Sequence, residues 1–285
     1  MKTVATIAEL RGMLARTRAA DQSVGLVPTM GALHEGHLSL IGAARRECDV
    51  VVMSLFVNPT QFAAGEDLAA YPRDAEADGL LAQQAGVDIV FAPAVAEIYP
   101  DGFATSIVVR RLSEPLEGAV RGAAHFEGVA TVVAKLLNIV GPDVAYFGQK
   151  DAQQALVIKR LVADLNFPTR IAVCPTVREV DGLARSSRNV YLTAADREHA
   201  VGLSRALETA AALVAAGERD GSAAAAAARS RLAQYEIEPE YLAVVDPETL
   251  APVETIAGPV LLAVAAKVGR ARLIDNVIAT PDTER

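Results

Sequence analysis

His34 and His37 stand three residues apart in Val24-Gly-Leu-Val-Pro-Thr-Met-Gly-Ala-Leu-His-Glu-Gly-His-Leu-Ser-Leu40. The order is an apolar run, a glycine-bearing loop, two imidazoles and the start of a helix. Such an order builds an anion site. Gly31 and Gly36 let the backbone come close to a ligand. The following helix offers unpaired N–H groups and the positive end of its dipole. An imidazole at the mouth can donate to phosphate oxygens. The segment reads as a nucleotide triphosphate site. Two other readings compete: a structural turn capped by two histidines, and a zinc pair. Helical zinc pairs place His at i and i+4. Here the spacing is i, i+3, a glycine lies between, and no third ligand follows nearby, so no metal ligand is assigned.

Three further polar clusters interrupt an apolar background. In Phe56-Val-Asn-Pro-Thr-Gln-Phe62, Asn58 and Gln61 are neutral groups that both donate and accept. They suit a small ligand rich in hydroxyl or carboxylate oxygens, although Asn-Pro is also an ordinary turn starter. In Tyr146-Phe-Gly-Gln-Lys-Asp-Ala-Gln-Gln154, Gly148 permits close approach. Lys150 brings one mobile positive charge, suited to phosphate charge developing in a transition state. Asp151 suits a helix N-cap. In Val177–Leu192, Arg185-Ser-Ser-Arg188 packs two guanidiniums and two hydroxyls into four residues. That is a dense set of phosphate donors. Alone it would read as a solvated basic turn. As the third phosphate-competent loop in one chain it reads as part of a site.

The elements that must position these loops follow a simple alternation. Val24–Val27, Asp49–Val57 and Asp88–Phe91 are apolar, β-branched runs of the kind covered on both faces of a sheet. Leu38–Glu47 and Arg73–Ala85 read as helices between them. Strand, helix, strand, helix predicts a Rossmann-like, doubly wound parallel sheet, with ligands beyond the carboxyl ends of its strands. Helix is expected again at Gly128–Val140 and Asp151–Leu165, and strand at Val144–Phe147 and Arg170–Val173. Pro175 marks the expected boundary between a first domain (1–174) and a smaller α+β domain (175–285). The latter carries the Arg-Ser-Ser-Arg loop, Ala-rich helices at Ala195–Ala216 and Ala223–Tyr235, and strands at Tyr241–Val245 and Val260–Val264.

Composition bounds the function. The 285 residues suffice for two real cores, 52 % are hydrophobic, and the net charge is −8. That charge argues against broad nucleic-acid binding. Two distant cysteines, Cys48 and Cys174, form neither a metal motif nor a disulfide framework and fit a reducing cytoplasm. Early charges, Glu9 and Arg11, interrupt any apolar run too soon for a signal peptide, so none is expected. No uncharged stretch has the length and hydrophobicity of a membrane span.

Taken together, four segments resemble the pantothenate synthetase (pantoate–β-alanine ligase) family. They are Pro28-Thr-Met-Gly-Ala-Leu-His-Glu-Gly-His37, Phe56–Phe62, Phe147–Gln154 and Asp181-Gly-Leu-Ala-Arg-Ser-Ser-Arg-Asn189. The His-x-Gly-His signature alone would name only a nucleotidylyltransferase superfamily; the ordered set is specific. The resemblance implies that pantoate attacks ATP to give pantoyl adenylate and pyrophosphate. β-Alanine then displaces AMP to give pantothenate, and Mg²⁺ accompanies the triphosphate. It implies an ATP site formed by Met30, Gly31, Ala32, Leu33, His34, Glu35, Gly36, His37, Gly148, Gln149, Lys150, Asp151, Val177, Arg185, Ser186, Ser187 and Arg188. Of these, His34, His37 and Lys150 would be catalytic. Gln61, Gln154 and nearby Asn58 would hold pantoate, with Gln61 bordering the path of β-alanine. A homodimer is implied as well. One departure stands out: the family's Arg-Pro-Gly-His-Phe is Arg121-Gly-Ala-Ala-His-Phe126 here, one residue longer and without proline, expected to form a mobile wall near pantoate. Two other functions stay open at this point. One is a related nucleotidylyltransferase with another acceptor; the other is a non-catalytic nucleotide-binding protein.

Overall fold

The protein is described by a computed structural model at residues 1–62, 65, 66, 68, 69 and 71–282. It divides into two compact units: Met1–Gln149 with Gln153–Pro175, and Lys150–Ala152 with the chain from Thr176 onward.

The first unit runs β1 (Lys2–Val4), α1 (Ile7–Ala19), β2 (Val24–Thr29), α2 (Glu35–Glu47), β3 (Val50–Leu55), α3 (Ala75–Ala85), β4 (Ile89–Phe91), α4 (Val95–Ile98), α5 (Glu117–Arg121), α6 (Ala123–Val140), β5 (Val144–Gly148), α7 (Ala152–Asp164) and β6 (Arg170–Cys174). The strands form one parallel sheet in the order β1-β4-β3-β2-β5-β6. This is the Rossmann-like sheet with flanking helices that the alternation predicts. From β2 the chain winds outward through β3 and β4, then returns to lay β5 and β6 on the other side. The order therefore reverses between β2 and β5, where ligands bind in such folds.

Local pairing opens that place further. β2 pairs with β3 along its whole length, but with β5 only at Gly25–Val144 and Leu26–Ala145. Pro28, which has no N–H to give a ladder, lies beyond the last β2–β5 pair. The two strands are thus free of each other at their carboxyl ends.

The helices form for ordinary reasons. α1 starts at a capping box in which Thr6 accepts from the Glu9 N–H and Glu9 accepts from the Thr6 N–H, a cap typically worth about 1 kcal/mol. α2 buries Leu40, Ile41 and Ala44 on one face and carries Glu35 in its first turn and Arg45 and Arg46 in its last, each favourable to the dipole. α6 is long and apolar enough to cross a membrane by composition, with a mean hydropathy of 1.3 over 18 residues. It holds Glu127 and Lys135, and 72 % of it is buried inside the protein. It is a core helix of its unit.

The second unit contains α8 (Ala194–Ala200), α9 (Gly202–Ala215), α10 (Gly221–Ala233), β7 (Pro239–Val245), β8 (Val260–Val268) and β9 (Ala271–Ala279). β7, β8 and β9 make a small antiparallel sheet, and the Ala-rich α9 and α10 pack together on an apolar core with it. The helical stretch read as continuous from Ala195 to Ala216 is broken at Val201. A Cβ on Gly202 would lie 2.6 Å from the Tyr235 side chain, so the packing there accepts only glycine. β1, α1 and β9 escape the sequence reading altogether.

Candidate active site

Three adjacent strands of the parallel sheet, β3, β2 and β5, each end in one of the polar clusters. The histidine loop follows β2, the Asn58–Gln61 turn follows β3, and Gly148-Gln149 ends β5 and its turn. Parallel strands bring their carboxyl ends to one edge, so these clusters share that edge.

The histidine loop is built by a buried acid. Asp78, on α3 and 3 % exposed, accepts from the N–H groups of Ala32 (2.9 Å) and Leu33 (2.7 Å). Gly31 has φ +88°, and a Cβ there would lie 2.8 Å from the Asp78 carboxylate. Ala32 also has positive φ, +51°, a conformation held by that carboxylate. The loop then enters α2 with His34 as N-cap. Gly36 N–H donates to His34 Nδ1 (3.1 Å) and His34 N–H to His37 Nδ1 (3.3 Å), with the ring centroids 4.1 Å apart. Both Nδ1 atoms accept, so each neutral ring carries its proton on Nε2. The pair is set as two Nε2–H donors at the amino end of a helix, which suits phosphate. Glu35 is exposed; Met30, Gly36 and His37 are half-buried.

The Asn58–Gln61 turn is tied to the same loop. Gln61 Nε2 lies 3.2 Å from Met30 Sδ, and Asn58 Nδ2 donates to Gln61 Oε1 (3.1 Å). Asn58 is 1 % exposed, with Nδ2 also donating to the Gly128 carbonyl (3.1 Å) and Oδ1 accepting from Tyr99 (2.9 Å). Asn58 is therefore the scaffold of the turn, and Gln61 is half-buried with its amide between Asn58 and Met30. Of the glutamines opening α7, Gln153 is buried and spent on the 112–117 segment, bonding the Leu112 and Pro115 carbonyls and the Glu117 N–H. Gln154, the one expected to bind substrate, is half-buried.

In the second unit, Lys150 and Asp151 form a loose pair (3.5 Å), and Asn276 Nδ2 anchors the Lys150 carbonyl (2.9 Å). Val177 and Arg185 close a hairpin: the Arg185 N–H donates to the Val177 carbonyl (2.9 Å), and residues 178 and 184 bridge. Ser186 caps the short turn Ser187–Tyr191, accepting from the Arg188 N–H (3.3 Å). Beneath the loop, Glu179 accepts from Asn189 Nδ2 (2.8 Å), pairs with Arg197 and lies 3.2 Å from Arg185 Nη1. Arg185 thus has a carboxylate partner within its own loop, and Arg185, Ser186, Ser187 and Arg188 are all half-buried.

Burial raises both carboxyls, but hydrogen bonds outweigh it: those from Arg197 and Asn189 hold Glu179 below 4.5, and those from the Leu183 N–H and Arg197 hold Asp181 below 3.8. Folded values below the unfolded ones mean stability that is present above those pH values and lost as pH falls through the folded values. Thermal unfolding against pH is expected to show the second unit weakening below pH 4.5, and Glu179→Gln is expected to flatten that decline. An unchanged acid limb in the variant would remove this tether from the account.

Two residues that shape these loops were not assigned from the sequence: Asp78, and His125 in the departing Arg121–Phe126 segment. Asp78 looks like an ordinary helix acid, and only its position four residues after the N-cap Asp74 hints that it lies on the buried face. The 121–126 segment, expected as a mobile wall, is a junction between α5 and α6 at Gly122, whose φ of +87° proline could not adopt. It brings Arg121 and His125 into contact with the Asn58–Gln61 turn and its neighbourhood.

Comparison with known proteins agrees with this fold. The family model of pantoate–β-alanine ligases matches residues 2–278. The chain is 57 % identical to the pantothenate synthetase of Moorella thermoacetica over 98 % of each chain. It superposes on the pantothenate synthetase structure from Thermus thermophilus with a TM-score of 0.92 at 50 % identity, covering 97 % of this chain and 99 % of that one. It also superposes on the Francisella tularensis pantoate–β-alanine ligase complexed with beta-gamma ATP and β-alanine. That TM-score is 0.81 at 35 % identity, over 98 % and 97 % of the chains. The chain belongs to the pantoate–β-alanine ligase family.

Proposed function

We propose that this ligase makes pantothenate through pantoyl adenylate, and that the loops after β2, β3 and β5, with the 185–188 loop, divide the work. The single observation that carries the reading is the placement of three polar clusters on the shared edge of β3, β2 and β5, at the reversal of strand order. A pantoate carboxylate oxygen attacks the α-phosphorus of ATP; the bond to the β-phosphate oxygen breaks and pyrophosphate leaves. The β-alanine amine then attacks the acyl carbon, the acyl–oxygen bond breaks, and the amine proton is lost as AMP departs. Neither step needs an enzyme nucleophile. Both need positioning and positive potential at the departing phosphates.

The residues supply those needs. His34 and His37 donate from Nε2 to the phosphates, with His37 stabilising charge as it develops. Lys150 neutralises the phosphates, and Ser186, Ser187 and Arg188 grip the outer ones, Arg185 contributing from beside Glu179. Met30 to Gly36, Gly148, Gln149, Asp151 and Val177 line the nucleotide. Gln61 and Gln154 hold pantoate, Asn58 fixes Gln61, and Gln61 borders the amine's approach. Among the described residues no three His, Cys, Asp or Glu side chains cluster as a metal cage. Mg²⁺ is commonly held by substrate phosphates with few protein ligands, and here it would arrive with the triphosphate. When bound it supplies charge neutralisation on the triphosphate. The first unit is read as nucleotide- and pantoate-binding and the second as the carrier of the phosphate loop. A cytoplasmic homodimer completes the reading, and sedimentation showing only monomer would contradict its oligomeric part.

Oxygen labelling tests the adenylate. With pantoate labelled with ¹⁸O in its carboxylate, one labelled oxygen is expected in AMP. Label in inorganic phosphate, with ADP formed, would mean attack at the γ-phosphorus and overturn the scheme.

A further inference from the structure

His125 sits on α6, 8 % exposed, and makes two hydrogen bonds. Its Nδ1 lies 2.8 Å from the Gln61 carbonyl oxygen and its Nε2 lies 2.9 Å from Arg121 Nη1. A carbonyl only accepts, so Nδ1 must carry a proton. A guanidinium only donates, so Nε2 must be bare. The two contacts are compatible with one state alone: the neutral imidazole protonated on Nδ1. This is the opposite tautomer to that of His34 and His37. Arg121 is itself fixed by Glu66, with Nε to Oε1 at 3.0 Å and Nη2 to Oε2 at 2.7 Å. Burial, then the charge of Arg121, push the His125 pKa down to about 4, in agreement with a ring that stays neutral.

α6 meets the Asn58–Gln61 turn at two further points. The Gly128 carbonyl accepts from Asn58 Nδ2, and a Cβ on Gly128 would lie 2.5 Å from the Thr60 carbonyl oxygen. Backbone therefore packs on backbone. Residues 125 and 128 are three apart, on one face of the helix. That face holds the turn at its start, through Asn58, and at its end, through the Gln61 carbonyl.

We propose that His125 is a positioning residue for pantoate: its Nδ1–H fixes the Gln61 backbone, Arg121 locks the tautomer that can do so, and the Gln61 amide is thereby aimed at the substrate. The proposal rests on the reading of Gln61 as a pantoate ligand. It assigns a function to the segment in which this chain departs from its family's pattern. The extra residue puts Arg121 four residues before His125 rather than three, and the Gly122 junction still brings guanidinium and imidazole together.

The test compares His125→Phe, His125→Asn, Gln61→Ala and the double variant in the full-length enzyme. His125→Phe keeps the ring's bulk and removes the donor; loss of one buried hydrogen bond is expected to raise KM for pantoate about ten-fold. KM for ATP should stay within about two-fold, because His125 bonds Arg121 and the Gln61 carbonyl and none of the residues assigned to ATP. His125→Asn keeps an N–H donor and should recover part of the loss. In a Gln61→Ala background, His125→Phe should add little, since both act on one amide. Equal changes in pantoate and ATP constants, or additive effects in the double variant, would reduce His125 to a packing residue. If Gln61→Ala raises KM for pantoate and His125→Phe does not, the positioning role alone falls. If Gln61→Ala itself leaves that constant unchanged, the pantoate reading falls with it. Should His125→Phe fail to fold, ¹⁵N NMR of the unsubstituted protein reads the ring directly: a proton on Nε2 overturns the proposal, and a proton on Nδ1 supports it.

Discussion

His37→Ala is expected to lower kcat roughly a hundred- to a thousand-fold, the cost of removing one donor aimed at developing charge. The His37 ring is half-buried, and its Nδ1 accepts from the His34 N–H, so the alanine variant also loses one local bond worth about 1 kcal/mol. That is too little to unfold a protein whose parallel sheet and Asp78 anchor remain. A circular dichroism spectrum and melting point close to those of the unsubstituted protein should therefore accompany the loss of turnover. Unchanged turnover would remove His37 from the mechanism. The same experiment separates the ligase from a nucleotide-binding protein without turnover, because the latter has no kcat to lose.

Replacing Lys150 with alanine should give a loss of the same order, about a hundred-fold or more in kcat, with a smaller change in KM for ATP. The reasoning differs. Lys150 carries a mobile charge, and its neighbour Asp151 is too loosely paired, at 3.5 Å, to hold it away from a phosphate. The backbone at this position is fixed by Asn276 through the Lys150 carbonyl, a bond that no side-chain substitution removes. Loss of activity in Lys150→Ala therefore reports the charge and not a displaced turn. Lys150→Arg should recover only part of it, since a planar guanidinium does not reproduce an ammonium at the end of a flexible stem. A loss confined to KM for ATP, with kcat intact, would mean that Lys150 binds the ground state only.

Much of this was legible in the chain because the physics was local. β2 and β3 are buried on both faces, so their apolar runs announce a covered parallel sheet. The histidine loop and the Asn58–Gln61 turn announce themselves by glycines, imidazoles and amides in otherwise apolar surroundings. What stayed hidden depends on partners distant in sequence. β1 is three residues long, too short to show a period. β9 carries Asp275 and Asn276 at buried positions, which spoils its apolar pattern; the reason is Arg178, which pairs with the Asp275 carboxylate at 2.6 and 3.0 Å. Asp78 reads as a surface acid until the loop of residues 31–33 is folded over it. The Arg185–Arg188 segment stood out by composition, but the pairing of Arg185 with Glu179 was not legible. The 121–126 segment was legible only as a departure. Its use, a neutral histidine on the Gln61 carbonyl, needed the fold.

The central claim is that ATP cleavage is coupled to joining two small acids, and product formation tests it most directly. ATP and Mg²⁺ are incubated with pantoate, β-alanine, both or neither, and AMP and pantothenate are followed together. Sustained AMP formation is expected only with both acids present, one pantothenate per AMP. Pyrophosphate release that continues without AMP, or AMP formation indifferent to β-alanine, would contradict it and point to another acceptor for the adenylyl group.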